Sequence, residues 1–409
     1  MASVCRFCGV PLEHVFADLG MSPLANSYLA PEHVNGMEPF YPLRAFVCSN
    51  CFLVQLEAFE TPDHIFGDYA YFSSYSTSWL QHSERYVEQM IARLDLGESS
   101  QVIELASNDG YLLRYFRERR VPVLGIEPAA NVADVAEKAG IPTLVEFFGR
   151  DIASRIVGGS AADLLLGNNV LAHVPDLNDF VAGMKILLKP GGVITMEFPH
   201  LMRLIDQNQF DTIYHEHFSY FSFLTARRVF AAHGLRLFDV EELPTHGGSL
   251  RIYGAHDDDP DKPETERAAE LADRERRAGY EEVETYGAYA RRVREDKRAT
   301  LSFLIELKRA GRSIAGYGAP AKGNTLLNYC GIGTDFIDYT VDMNPHKQGH
   351  FLPGSHIPIR ATDALRETKP DVVLILPWNI REEIMDQHAY IREWGGRFAA
   401  RAPEMRLLD

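Results

Sequence analysis

Apolar and polar positions change period several times along this chain. From Ser78 to Leu96, Trp79, Tyr86, Met90, Ile91 and Leu94 recur at helical spacing, so an amphipathic helix is predicted. Short apolar runs follow. Val102–Leu105 leads into the small-residue loop Ala106-Ser107-Asn108-Asp109-Gly110 and a helix from Tyr111. Val123 to Glu127 and Ala162 to Asn169 are further apolar runs ending at polar residues, and Lys189-Pro190-Gly191-Gly192 turns into another. Their length and turn-forming flanks predict buried strands. Met196 to His200 closes one strand, and His246 to Tyr253 reads as a turn entering a late one.

Asp257 to Pro263 is acidic and carries proline, the composition of a linker. Glu264 to Ala310 is mostly charged with helical period. Val283, Tyr286, Ala290 and Val293 form its predicted core-facing stripe, and its charged face is expected in solvent. Three more strands are predicted, at Ser313–Tyr317, Asp338–Asp342 and Asp371–Pro377, the first entering a glycine-rich turn and a helix. Before residue 77, Pro23, Pro31 and Pro42 punctuate loops and short strands, and Tyr69, Tyr71 and Tyr75 alternate as on an extended linker. The expected class is α/β, divided as residues 1–70, 71–256 and 257–409: a small unit, a Rossmann-like core and a second, smaller Rossmann-like unit.

Composition narrows the picture. With 57 acidic and 41 basic residues the net charge is −16, which argues against binding nucleic acid or anionic membrane. The N-terminus lacks a secretory pattern, and no apolar run approaches the ~20 residues that cross a bilayer. A cytoplasmic, reducing setting is expected, so the five cysteines do not suggest disulfides. Cys5-x-x-Cys8 and Cys48-x-x-Cys51 instead have the spacing of a four-thiolate zinc site. Four ligands leave no open position, so this zinc is expected to be structural. Cys330 is left over as a core residue.

Candidate chemistry concentrates in two places. Gly110 lets backbone approach a ligand closely, and Glu127 at the tip of the second strand suits ribose hydroxyls. No G-x-G-x-x-G is present, which counts against a dinucleotide enzyme; a doubly wound fold serving another nucleotide is the alternative. Farther on, Asp211 to Ser222 holds Tyr214, His215, Glu216, His217 and Tyr220 within seven residues. A neutral histidine there can remove a proton, a phenol can donate to a developing oxyanion, and a carboxylate can fix the imidazole tautomer. His215, Glu216 and His217 could share a metal only with further ligands, and no such cluster presents itself. In the last unit Tyr317-Gly318-Ala319-Pro320-Ala321-Lys322-Gly323-Asn324 lacks the end of the phosphate-loop signature, but its glycines admit a ligand and Lys322 can offset phosphate charge. Asn344-Pro345-His346-Lys347 is either a second ligand loop or a structural turn.

The succession E-L-A-S-N-D-G, G-I-E-P, N-N-V-L-A-H-V and L-K-P-G-G resembles a class I S-adenosylmethionine-dependent methyltransferase, with Asn108 and Asp109 where glycines often stand. Together with the cysteine spacing and Y-H-E-H-F-S-Y-F-S, the whole chain resembles the nucleotide-sugar C-methyltransferases that alkylate C3 of a 4-keto-6-deoxy sugar in natural-product biosynthesis. The resemblance implies S-adenosylmethionine near Glu104, Ala106, Asn108, Asp109, Gly110, Glu127, Pro128, Asn168, Asn169 and His173. It places the base at His217, with Tyr214, Glu216 and a linker tyrosine, Tyr71 or Tyr75, beside it. It implies a dTDP-sugar held by Tyr75, His246, Tyr317, Gly318, Ala319, Lys322, Asn324, Asp342, Asn344 and Lys347, in a monomer. The rivals are an N- or O-methyltransferase on another nucleotide sugar or small metabolite, separated by exchange of the sugar C3 hydrogen, and a non-enzymatic zinc-bearing binding protein, separated by failure to bind the cofactor.

Overall fold

The computed structural model describes residues 3–61, 73–75, 77–401 and 404–408. Tyr71 lies outside them, as does the side chain of Tyr75. Among the described residues the strands form three sheets. The first is antiparallel, with β1 (His14–Ser22), β2 (Tyr41–Val47), β3 (Val54–Leu56) and, from far along the chain, β9 (Ser219–Tyr220).

The second sheet runs β10-β11-β8-β7-β4-β5-β6. It contains β4 (Val102–Leu105), β5 (Val123–Ile126), β6 (Thr143–Leu144), β7 (Ala162–Asn168), β8 (Leu188–Pro199), β10 (Leu235–Leu243) and β11 (Ser249–His256). β4 to β8 are parallel, and β11 runs antiparallel to both neighbours. Strands buried on both faces explain the unbroken apolar runs. The strand order reverses between β4 and β7, so a ligand crevice opens at their carboxyl ends. Those ends carry Glu104 to Gly110, Glu127, Asn168 and Asn169.

The third sheet runs β14-β13-β12-β15-β16-β17. Its members are β12 (Ile314–Tyr317), β13 (Thr340–Val341), β14 (Ile359–Arg360), β15 (Val372–Ile375), β16 (Arg397–Arg401) and β17 (Met405–Leu408). All pairings are parallel except β16 with β17. Its own switch point lies between β12 and β15, which end at the Gly318 and Pro377 turns.

The charged segment after residue 264 is not one stripe. It breaks into helices Glu266–Arg277, Val283–Gly287 and Tyr289–Arg309. The break at Gly287–Ala288 shifts the phase, so Tyr286, Tyr289 and Val293 are buried while Ala290 is only partly covered. Phe16 of β1 stacks on Tyr289 at 4.5 Å, which seats the long helix against the first sheet. Nor is its polar face wholly solvated. Asp296 is buried and pairs with Arg401 at the end of β16. No helix among the described residues is long and apolar enough to cross a membrane.

Candidate active site

The crevice over the second sheet is built by a loop with three left-handed residues, Ala106 (φ 56°), Asn108 (φ 50°) and Gly110 (φ 74°). Asn108 does conformationally what a glycine would, because asparagine tolerates this region. Its side chain has a second task. Its Oδ1 accepts from Ser73 N–H at 2.9 Å, and Asp109 Oδ2 accepts from Ser74 N–H at 3.2 Å. The linker is thereby tied over the loop. Glu127 is partly committed as well, since Oε2 accepts from Asn108 N–H and Oε1 from Ala129 N–H, both at 2.9 Å. Burial pushes its pKa up.

Glu104 is fully buried, and neither carboxylate oxygen has a geometric hydrogen-bond partner among the described residues, although Tyr111 reaches toward it. Burial, then Asp109 and Glu127, push its pKa well up. Such a carboxyl is what the cationic end of an amino-acid-bearing ligand would satisfy. Asn169, itself at φ 55°, donates through Nδ2 to His246 Nε2 at 3.1 Å. His246 packs on Trp79 with centroids 5.1 Å apart, and burial lowers its pKa to about 4. Asn168 Nδ2 is buried without a hydrogen-bond partner among the described residues. Beneath lies a network the sequence did not announce: Glu197 accepts from Thr245 Oγ1 at 2.8 Å and Arg251 at 2.8 Å, and pairs with His82 at 2.9 Å. Burial opposes the Glu197 charge, but His82 and Arg251 hold its pKa at about 2.

The stretch from Asp211 to Ser222 is pinned at both ends. Phe210–Thr212 is a short 3-10 turn, and Ser219–Tyr220 becomes the fourth strand of the zinc-side sheet through β3. Within it, His217 Nδ1 lies 2.9 Å from the Thr212 carbonyl. A carbonyl only accepts, so Nδ1 carries the proton and Nε2 is the basic nitrogen of the neutral ring. Burial and then His173 push the His217 pKa well below its ordinary value, which keeps the ring neutral. The Tyr214 hydroxyl donates to Nε2 at 2.8 Å. The tautomer is thus fixed by Thr212 and not, as the sequence suggested, by Glu216. Glu216 turns the other way, accepting from Asn26 Nδ2 at 2.6 Å, and burial raises its pKa to about 7. His173 sits edge-on to His217 at 4.7 Å and bonds the Glu216 carbonyl. His215 meets the Pro42 carbonyl at 3.2 Å, so the two histidines of H-E-H have separate protein partners.

In the last unit Gly318 is left-handed (φ 86°), and an added Cβ would lie 2.6 Å from Pro377. Ala319 N–H donates to Asp342 Oδ2 at 2.7 Å, and its carbonyl accepts from Lys347 Nζ at 2.9 Å. Lys322 donates to Asn379 at 2.7 Å and lies 4.6 Å above the Trp378 ring; burial lowers its pKa to about 8. Asn324 is buried, and neither end of its amide has a partner among the described residues. The Tyr317 hydroxyl pairs with His388 Nε2 at 2.8 Å, and Asn344 caps its own turn, accepting from His346 N–H at 2.9 Å. A cleft of about 390 Å³ between the second and third sheets is lined by Gln209, Gly247, Trp378, Asn379, Arg381 and Arg401.

The four thiols of Cys5, Cys8, Cys48 and Cys51 lie within 4.8 Å of one another. Gln55 Nε2 donates to Cys5 Sγ at 3.1 Å and Asn50 N–H to Cys48 Sγ at 3.4 Å. Four sulfur donors supported in this way fit a closed zinc centre.

Three family models cover most of the chain: a zinc binding domain over residues 5–66, a methyltransferase domain over 79–240 and a C-methyltransferase C-terminal domain over 244–403. The C-methyltransferase NovU of Streptomyces niveus is 38% identical over 417 residues, spanning 99% of this chain and 96% of its own. The chain belongs to the C-methyltransferase family. It is an S-adenosylmethionine-dependent C-methyltransferase with a class I Rossmann-like core and a zinc-binding N-terminal domain. Among solved structures, an S-adenosylmethionine-dependent methyltransferase from Clostridium acetobutylicum ATCC 824 superposes with TM-score 0.36 at 9% identity, over 43% of this chain and 92% of its own. CcbJ from Streptomyces caelestis gives 0.34 at 12% identity, over 42% and 89%.

Proposed function

We propose that this enzyme methylates C3 of a dTDP-linked 4-keto-6-deoxy sugar, in the cytoplasm, as a monomer serving deoxysugar and natural-product biosynthesis. The observation that carries the reading is the tautomer of His217: Nδ1–H is committed to Thr212, so the lone pair of Nε2 faces the Tyr214 hydroxyl. A hydrogen on carbon next to a ketone is acidic enough for such a base once the oxygen charge is met. Substrate entry would turn the Tyr214 hydroxyl from Nε2 toward the keto oxygen. His217 then takes the C3 proton, and the electron pair moves into the enolate. S-adenosylmethionine supplies an electrophilic methyl group.

The residues that would hold the methyl donor are Glu104, Ala106, Asn108 to Gly110, Glu127, Pro128, Asn168, Asn169 and His173. Those for the acceptor are His246, Gly318, Ala319, Lys322, Asn324, Asp342 and Lys347. Residues 1–70, 71–256 and 257–409 then act as zinc, methyl-donor and acceptor units. Positioning two ligands across one cleft is expected to supply much of the rate.

The test is incubation with a dTDP-4-keto-6-deoxy sugar in deuterated solvent without methyl donor. Washout of the C3 hydrogen, absent from His217→Ala while calorimetry still shows S-adenosylmethionine binding, is expected. Methyl transfer without any C3 exchange, or near-normal turnover by His217→Ala, would remove the enolate route.

A further inference from the structure

The zinc-bearing module reaches the site itself. Asn26, on the loop after β1, donates through Nδ2 to Glu216 Oε1 at 2.6 Å, across a sequence separation of 190 residues. The Tyr28 hydroxyl lies 3.2 Å from Asn26 Oδ1 and 2.6 Å from the Ala319 carbonyl in the C-terminal unit. A phenol has one proton for these two acceptors. Lys347 Nζ also donates to the Ala319 carbonyl at 2.9 Å, so that carbonyl keeps a donor when Tyr28 turns to Asn26.

The loop is anchored for this task. Leu29 and Phe351 exchange backbone hydrogen bonds of 3.0 and 2.9 Å, and Glu38 accepts from Gly354 N–H at 2.9 Å and pairs with His356 at 3.0 Å. None of this is needed to hold zinc, whose four thiols lie elsewhere in the module.

We propose that Asn26 and Tyr28 are positioning residues of the acceptor site, linking the Ala319 loop of the C-terminal unit to the Glu216 carboxyl. A shift of that loop on ligand binding is then felt at Glu216 through two side chains of the zinc module. The charged and titratable groups around Glu216 are Lys347 and Tyr28, the latter also facing Asp342, with His173 on its carbonyl and His217 next in sequence. Asn26 is the donor in direct contact with the carboxyl. The assignment to an acceptor site rests on the reading above; the link itself does not.

The experiment uses the full-length, zinc-loaded protein and follows the infrared band of a protonated carboxyl that is missing in Glu216→Gln. In Asn26→Ala its titration midpoint should rise by about one pH unit, because the carboxylate loses its donor. Tyr28→Phe should shift it less, in the same direction. With the nucleotide sugar, kcat/KM of Asn26→Ala should fall about tenfold, the size of one charge-assisted hydrogen bond. Asn26→Ala in a Glu216→Gln background should cost little more, since the two act as one unit. Zinc content and S-adenosylmethionine binding should hold. If Asn26→Ala does not fold, the near-isosteric Asn26→Leu, which has neither a donor nor a charge, takes its place. An unmoved midpoint in a zinc-replete variant, or losses that multiply in the double variant, overturns the proposal. If the wild type turns over no 4-keto sugar, the acceptor reading fails, and the infrared titration still decides the link.

Discussion

Burial tunes the two acid–base residues of H-E-H in opposite electrical senses, and both end up favouring the neutral form. For His217 the folded pKa lies well below 6.5, so the free base persists to lower pH than an exposed histidine allows. The acid limb of C3 exchange is therefore expected below pH 6.5; a limb above it would show that His217 is not the titrating base. Glu216 titrates at about 7 in the fold against about 4.5 unfolded. Between those values the folded state binds more protons, so stability falls as pH rises through the window. Glu216→Gln removes that loss. Its unfolding free energy relative to wild type, read by chemical denaturation, is expected to improve from pH 5 to pH 8 by on the order of 2 kcal/mol. The sequence showed these residues side by side, but not that consecutive side chains would part, one to Tyr214 and Thr212, the other to the zinc module.

At the scale of elements, the loop after β4 and the turn before His217 are the sensitive pieces. Gly110 is left-handed, and an added Cβ would stand 3.0 Å from Ile141 and 3.3 Å from Ala136. Gly110→Ala should cost about 1–3 kcal/mol of stability and weaken S-adenosylmethionine binding in calorimetry. This glycine was legible from its place after a buried strand. The Phe210–Thr212 turn was not, because what holds it comes from remote elements. Asp211 accepts from Arg401 at 3.0 Å and from Trp378 Nε1 at 2.6 Å, and Arg401 also pairs with Asp296. All three charges are buried, so Arg401→Met should destabilise by about 3–5 kcal/mol in chemical denaturation, the cost of leaving two carboxylates without their cation. The charged face of this segment was expected in solvent as a whole; pairing with Arg401 lets Asp296 stay buried.

Across the whole molecule the zinc module, the methyl-donor sheet and the C-terminal sheet share the segment that carries His217. β9 is a strand of the zinc-side sheet, while helix Ala321–Cys330 reaches the same segment through Thr325 Oγ1 on the Ile213 carbonyl at 3.2 Å. Metal loss should therefore reach chemistry as well as solubility. Chelation, or Cys48→Ser, is expected to abolish C3 exchange in parallel with zinc loss while residual S-adenosylmethionine binding survives. Exchange persisting in zinc-free protein would show the module to be independent of the site.

Local sequence settled what depends on near neighbours: apolar runs bounded by turns became buried parallel strands, paired C-x-x-C motifs brought four thiols together, and glycine marked where backbone must turn left-handed. Those outcomes follow from short-range sterics, period and ligand spacing. Tertiary structure alone decided which partners close each polar group. Asn26 takes Glu216, Arg401 bridges Asp211 and Asp296, and Trp378 closes on Asp211, because such pairings join residues far apart in sequence, and a buried charge or hydrogen-bonding group accepts whichever partner the packed chain delivers.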